Sequence, residues 1–167
     1  QETRRAGAEN VRDDIMLLPA GSHVIVCGDM NFYSSNEPAY NWFTDSGDGQ
    51  VIDPLGGGSW SGVTNALKHT QSPLLNQNGG LIGGGLDDRF DFQFISSTLL
   101  DGGEFDLIDG TYRSLGNDGN HYNDAINTGN NYYFPGDTAR GNTLADDLIN
   151  ASDHLPLIAD YQVPAIL

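Results

Sequence analysis

The sequence is short of basic residues, cysteines and long apolar runs. Seven lysines and arginines stand against 23 aspartates and glutamates, which gives a formal net charge of -16. Because Lys68 is the sole lysine, we expect no broad basic face that neutralises nucleic-acid phosphates, although an enzyme that borrows positive charge from a metal ion remains open. The single cysteine, Cys27, excludes an internal disulfide framework and a cysteine-rich zinc site. No apolar run approaches the roughly 20 residues that cross a bilayer, so we expect no transmembrane segment.

The composition that remains is typical of one soluble globular domain. A length of 167 residues is enough for a core, and 38% of the residues are hydrophobic. The acidic, lysine-poor composition favours a secreted or periplasmic location. The opening residues predict a helix over 2–18, with an apolar stripe that includes Ala8, Val11 and Ile15, ended by Pro19. Since the sequence opens inside a helix, we expect it to be the later part of a longer protein.

Further along, the sequence predicts alternating helices and strands separated by polar loops. A strand over 23–28 precedes a short helix over 37–43, capped by Ser35 or Asn36. A second strand is predicted at 87–97, and every second side chain of its phenylalanine-rich stretch lies on one face. The remaining predicted elements are a long loop at 101–142, a brief helix at 144–150 capped by Asn142 and a final strand at 154–163.

Two polar side chains follow the first strand at its carboxyl end. Residues 24–26 are branched and predict a strand buried on both faces, with Cys27 as a small core residue. Gly28 lets the chain bend, and Asp29 and Asn31 then point the same way because strand side chains alternate with period two. An acid and an amide placed together in this way form either an ordinary turn or the start of an active site.

Two more short motifs stand at strand ends. One is Arg89-Phe90-Asp91-Phe92, and the other is Ser152-Asp153-His154-Leu155-Pro156. Each has a plain structural explanation when it is taken alone. An aspartate in an apolar strand bonds a backbone amide or pairs with Arg89, and a Ser-Asp-His sequence caps a turn.

Taken in order, the three motifs resemble the later half of the endonuclease/exonuclease/phosphatase superfamily, which has the deoxyribonuclease I-like fold. That half runs GDxN, then R-x-D-[YF], then SDHxP. The nearer resemblance is to bacterial secreted-type members, through the segments 36–40 (NEPAY) and 69–72 (HTQS). It covers essentially the whole chain and implies an α+β fold, a four-layer αββα sandwich of which residues 1–167 form the C-terminal part of one domain.

The resemblance also implies roles for four residues. His154 would be the base or the electrostatic partner that faces the phosphorus. Asp91 would hold the other ring nitrogen of His154 and fix its tautomer. Asp29 would position or deprotonate the attacking water, and Asn31 would donate to a phosphoryl oxygen of the substrate.

A divalent cation belongs to the same implied site. Asp153 would lie at its metal edge, and Mg²⁺ or Mn²⁺, with Ca²⁺ as an alternative, would offset the carboxylates beside an anionic substrate. His69 and His121 stand in glycine- and asparagine-rich loops and are candidate substrate-binding residues. The alternative for both is a histidine that is solvated or that staples its loop.

Parts of the family pattern have no match in residues 1–167. The family's first half supplies an Asn, a metal-ligand Glu and a His, so we expect this chain alone to be inactive and to need the N-terminal half of the domain as its partner. The leading functional prediction is a metal-dependent nuclease or other phosphodiesterase acting on a phosphodiester substrate. A phosphatase or lipid phosphodiesterase of the same fold is one alternative, and a non-catalytic binding module or inactive fragment is the other.

Overall fold

A computed structural model of the chain describes residues 1–164, which form helices and small sheets. Along the chain, the elements are α1 (Glu2–Met16), β1 (Ile25–Asp29), α2 (Pro38–Thr44), β2 (Asp91–Ile95), β3 (Asp106–Leu107), β4 (Arg113–Ser114), α3 (Thr138–Ala151), β5 (Leu157–Ile158) and β6 (Tyr161–Gln162), with 3₁₀ helices at Val63–Lys68 and Ser97–Leu99. Strand β1 pairs with β2, and the pairs β3–β6 and β4–β5 are antiparallel. The fold class is therefore α+β. Within residues 1–164, no helix is both long and apolar enough to span a bilayer.

The described residues divide into two compact units. Unit 1 comprises residues 1–59, 92–112 and 159–164, and unit 2 comprises residues 60–91 and 113–158. The predicted helix at the start and the predicted phenylalanine-rich strand are both present, as α1 and β2. The assignment of the chain to one family domain with four layers stays a prediction.

Unit 1 is built around an aromatic cluster. Phe92 and Phe94 leave the same face of β2 with their rings parallel and 5.2 Å apart, as the period of two predicts. Phe32 lies 5.4 Å from Phe92, and Phe43 of α2 stacks on Phe94 at 5.1 Å. All of these side chains are buried, so the burial of β2 on this face anchors the strand that begins at Asp91.

Helix α2 begins one residue later than the sequence predicted, and neither predicted cap is used. Pro38 is its first residue, a position that suits proline because no amide donor is needed there. The buried carboxylate of Glu37 instead accepts hydrogen bonds from the Tyr33 amide and from Arg4 of α1, the latter at 2.6 Å. Burial alone would raise the pKa of Glu37, but these bonds outweigh it and hold the pKa below its ordinary value.

The prediction that β1 is buried on both faces is wrong. Most of its residues are exposed, Ile25 to 43%, and Cys27 is exposed rather than a core residue. An apolar run identifies a strand through its side-chain shape, but burial depends on what packs against each face. The apolar run 24–26 therefore predicted the strand correctly but its burial incorrectly.

Unit 2 has a separate apolar core. Leu148 and Ala145 of α3 pack with Leu86, Ile126 and Leu155. Leu155 follows His154 directly in the chain, so the core of unit 2 fixes the backbone next to this histidine.

Helix α3 is twice as long as predicted and begins at Thr138. Its cap is Asp137, whose carboxylate accepts from the Arg140 amide, whereas the side chain of Asn142 accepts from the Asn131 amide. Gly141 lies inside the helix, where a Cβ would clash with the carbonyl oxygen of Asn131. The close approach of Asn131 requires glycine at this position.

The single final strand predicted at 154–163 is also wrong. It is divided into β5, which pairs with β4, and β6, which pairs with β3. Between them the Asp160 amide donates to the side chain of Thr111. The bond to a side chain interrupts the ladder, so the two short strands have different partners.

Candidate active site

Asp91 and His154, 63 residues apart in sequence, form a direct pair in unit 2. The Nδ1 atom of His154 lies 2.7 Å from Oδ2 of Asp91. Since a carboxylate oxygen only accepts, Nδ1 carries the proton and the bond orients the ring. The side chains are 23% and 19% exposed, respectively, so the pair is partly desolvated and still open to solvent.

Thr70 positions both members of this pair. Its hydroxyl oxygen accepts from the amides of Phe90 and Asp91 at 3.1 and 3.2 Å. Its carbonyl accepts from the Leu155 amide at 2.7 Å. One fully buried threonine thus fixes the backbone at Asp91 and the backbone next to His154. Sequence reasoning placed Thr70 in a family-like segment and gave it no role.

The other ring nitrogen of His154 is also engaged. Its Nε2 atom lies 2.7 Å from the side-chain Nε2 of Gln71. Because Nδ1 holds the ring proton, Nε2 of His154 is the acceptor and the Gln71 amide is the donor. Sequence reasoning missed this contact, and no spacing or periodicity indicates that residue 71 faces residue 154.

Asp29 and Asn31 form a local pair in unit 1. Asp29 is the last residue of β1, and its Oδ1 accepts from the Asn31 amide at 3.0 Å. Asn31 adopts a left-handed conformation with φ of 51°, which asparagine tolerates better than most residues. Both residues are exposed. Their predicted roles, toward water and toward a phosphoryl oxygen, stay predictions.

Asp153 points to a neighbouring loop of unit 2. Its Oδ2 accepts from the Ile82 amide at 2.9 Å. Asp153, the predicted metal ligand, offers a carboxylate oxygen, the ligand type that Mg²⁺ and Mn²⁺ prefer. Its chemistry fits a hard divalent cation, and the metal site and the identity of the metal stay predictions.

The two loop histidines predicted to touch substrate are both buried. His69 is fully buried, and its Nε2 lies 2.6 Å from the carbonyl oxygen of Trp60. His121 contacts Oδ1 of Asp118 through Nδ1 at 2.8 Å and the carbonyl of Thr128 through Nε2 at 3.0 Å. Such contacts are typical of histidines that staple loops, and a substrate role for either stays a prediction.

Two carboxylates near these histidines have opposite pKa shifts. Burial raises the pKa of Asp88, and the adjacent charge of Asp87 raises it further. Burial alone would also raise the pKa of Asp118, but hydrogen bonds from the amides of Tyr132 and Asn120 and from His121 outweigh it and leave the pKa below its ordinary value. Asp118 is therefore a satisfied buried carboxylate, whereas the charge on Asp88 is poorly compensated.

Arg89 has a structural environment. Its side chain is fully buried, and its guanidinium lies 5.5 Å from the centre of the Trp60 ring. A buried arginine over an aromatic face is stabilised by cation–π attraction. Arg89 thus belongs to the scaffold of unit 2, next in sequence to the segment that carries Asp91.

The fold and the site together define a general class of protein, an α+β protein with a partly exposed carboxylate–histidine pair. Compared with known protein families, with characterised proteins and with solved structures, the chain matches none of them. Membership of the endonuclease/exonuclease/phosphatase superfamily therefore stays an expectation from the three motifs.

Proposed function

We propose that the chain is part of a metal-dependent phosphoester hydrolase, and specifically of a nuclease or other phosphodiesterase. The observation that carries the proposal is the 2.7 Å contact between His154 Nδ1 and Asp91 Oδ2. An imidazole oriented by a carboxylate is the arrangement that general-base catalysis needs. The order of the three sequence motifs supports the same reaction. The four-layer sandwich and the N-terminal half of the domain, which the resemblance implies, are part of the proposal.

In the proposed reaction, His154 serves the attacking water. Water adds to phosphorus, and its proton passes to Nε2 of the ring. The bond from phosphorus to the ester oxygen then breaks, with the electron pair leaving on that oxygen, which takes a proton from solvent water and becomes an alcohol, while the charged ring releases its proton to solvent. Asp91 holds the Nδ1 proton and stabilises the charged ring. General-base assistance of this kind contributes about 10²–10⁴ in rate.

The unit 1 pair and the carboxylates have supporting roles in this proposal. The resemblance assigns Asp29 to orienting the water and Asn31 to donating to a phosphoryl oxygen, and the proposal adopts both roles. Asp153 offers an oxygen ligand to Mg²⁺ or Mn²⁺, which when bound would neutralise charge on the phosphoryl group. Such a cation would also explain how a chain with a net charge of -16 accepts an anionic substrate.

An aromatic cleft in unit 2 favours nucleic acid as the substrate. Tyr132, Tyr133 and Phe134 line a cleft of about 450 Å³ together with Arg113. The Tyr132 side chain is 55% exposed. An exposed aromatic ring beside an arginine suits a stacked base, and such stacking needs few basic residues. The charge balance also supports a secreted or periplasmic setting for the protein.

A substrate panel tests the proposal. The full-length protein is assayed with plasmid DNA, RNA, bis(4-nitrophenyl) phosphate, a phosphomonoester and a phospholipid, with Mg²⁺ and with EDTA. We expect Mg²⁺-dependent cleavage of a nucleic acid and of the model diester, and no turnover by residues 1–167 alone. Cleavage of the monoester or phospholipid alone would indicate a phosphatase or lipid phosphodiesterase. No turnover of any substrate would favour a binding module.

A further inference from the structure

Both ring nitrogens of His154 have protein partners within unit 2. Asp91 contacts Nδ1 and Gln71 contacts Nε2, each at 2.7 Å. An imidazole nitrogen directs one lone pair or one N–H bond in the ring plane, so each nitrogen makes a single good hydrogen bond. Gln71 therefore takes the only position from which Nε2 can contact another molecule.

From this exclusivity we propose that the side chain of Gln71 is a displaceable cap on His154, which a phosphoryl substrate must move before Nε2 can act. The inference rests on the proposed function, because it takes Nε2 to be the reacting atom. Gln71 is thus a positioning residue that holds the ring in the free enzyme and competes with substrate for it.

The backbone of Gln71 is fixed, so the movement is confined to its side chain. The Gln71 amide donates to the carbonyl of Asp88 at 3.0 Å. The Gln71 carbonyl accepts from the amides of Asp87 and Asp88, both at 3.0 Å. With the main chain held on this side, rotation about the side-chain bonds is the simplest way for the amide to leave Nε2.

Removal of the cap has a defined kinetic consequence. In Gln71→Ala the substrate does not have to break the contact between Gln71 and His154 when it binds. The net contribution of one hydrogen bond then no longer opposes binding, so KM should be roughly 2- to 12-fold lower than in wild type. The value of kcat stays within about 3-fold of wild type, because Asp91 still holds Nδ1. A residue that merely supported the fold would lower kcat or thermal stability without improving KM.

Two further variants sharpen the test. Gln71→Asn keeps the amide but is one methylene shorter, so with the same clamped backbone it cannot reach Nε2 and behaves as Gln71→Ala does. Gln71→Glu places a negative charge where the phosphoryl group binds, and KM rises. Opposite shifts of KM from Asn and Glu, in variants whose melting temperatures stay within about 6 °C of wild type, separate the cap from a general loss of structure.

The experiment measures kcat and KM of the full-length protein with bis(4-nitrophenyl) phosphate and Mg²⁺. The Gln71 side-chain amide signal, identified by its loss in Gln71→Asn, is followed by ¹H–¹⁵N NMR as inorganic phosphate is added. The proposal expects the lower KM and a shift of this signal toward that of a free amide. An unchanged or higher KM in Gln71→Ala and Gln71→Asn, or a signal that does not move at saturating phosphate, overturns the cap while leaving the hydrolase intact. Absence of turnover in wild type overturns the hydrolase itself, and the cap with it.

Discussion

Replacing Asp91 with asparagine removes a charge from the His154 pair with little change in side-chain volume. The neutral amide can still meet Nδ1, but it does not stabilise a charged ring and its NH₂ group can favour the other tautomer. The contact is short, at 2.7 Å, and the two side chains are about one-fifth exposed. A hydrogen bond to a charged group contributes about 1.5–3 kcal/mol when it is shielded from water, and partial exposure reduces this to about 1–2 kcal/mol.

The expected effects on stability and on rate therefore differ widely. In a protein of this size, 1–2 kcal/mol lowers the melting temperature by roughly 2–8 °C. The rate falls much further, because loss of general-base assistance lowers kcat by about 10²–10⁴. The assay is steady-state hydrolysis of bis(4-nitrophenyl) phosphate by the full-length protein with Mg²⁺, alongside a thermal melt of each variant.

Asp118→Asn is the matched control for this prediction. Asp118 contacts His121 at 2.8 Å in the same unit, and the substitution changes one carboxylate–histidine pair in the same chemical way. We expect it to lower the melting temperature and to leave kcat within a few-fold of wild type. A decrease in kcat of less than about 5-fold for Asp91→Asn, or equal decreases for both variants, would refute the reasoning.

Further predictions concern stability and its dependence on pH. Phe94→Ala removes a fully buried ring that stacks on two others, so denaturant unfolding should show a loss of about 3–5 kcal/mol; a loss below about 1 kcal/mol would contradict the core assignment. Asp88→Asn should raise the melting temperature at neutral pH, because the pKa of Asp88 is raised and its ionised form is disfavoured in the fold. This gain should vanish in melts below about pH 4, where the carboxyl is protonated in both states, and a gain that persists there would count against the explanation. The ionised carboxylate of Asp118 stabilises the fold instead, because its pKa is lowered. This stabilisation is complete above the ordinary aspartate pKa of about 3.9 and is lost as pH falls through the lower pKa of the folded state. Urea titrations should therefore show a stability difference between wild type and Asp118→Asn that shrinks in acid; a constant difference would argue against it.

The elements that sequence predicted well are those whose signal is local. The alternation of residues 90–95 identified β2 and its buried phenylalanine face, because a period of two is a property of the strand itself. The apolar stripe of residues 2–18 identified α1 in the same way. The expected contact between Asp91 and His154 is present, and it came from the order of three motifs rather than from any local pattern.

The features that sequence did not predict depend on what packs against a segment. Nothing in residues 24–27 reveals that β1 is exposed, since side-chain shape does not report the neighbours of a strand. The first residues of α3 fall in the segment predicted as a loop, and the close approach of Asn131 to Gly141 within them leaves no signal in the sequence. Gln71 faces His154 because two backbone segments flank it, at Asp88 and at residues 154–155. No spacing of residues along the sequence indicates that these segments meet.

The most direct test of the account is the Mg²⁺-dependent hydrolysis of bis(4-nitrophenyl) phosphate by the full-length protein, compared between His154→Asn and His121→Asn. Each variant replaces a histidine that is bonded to a carboxylate in unit 2. The account predicts that His154→Asn loses at least about 100-fold in kcat and lowers the melting temperature by roughly 2–8 °C, as Asp91→Asn does, whereas His121→Asn loses stability and keeps its rate. Wild-type turnover by His154→Asn, or an equal loss in both variants, would contradict the assignment of this imidazole to phosphoester chemistry.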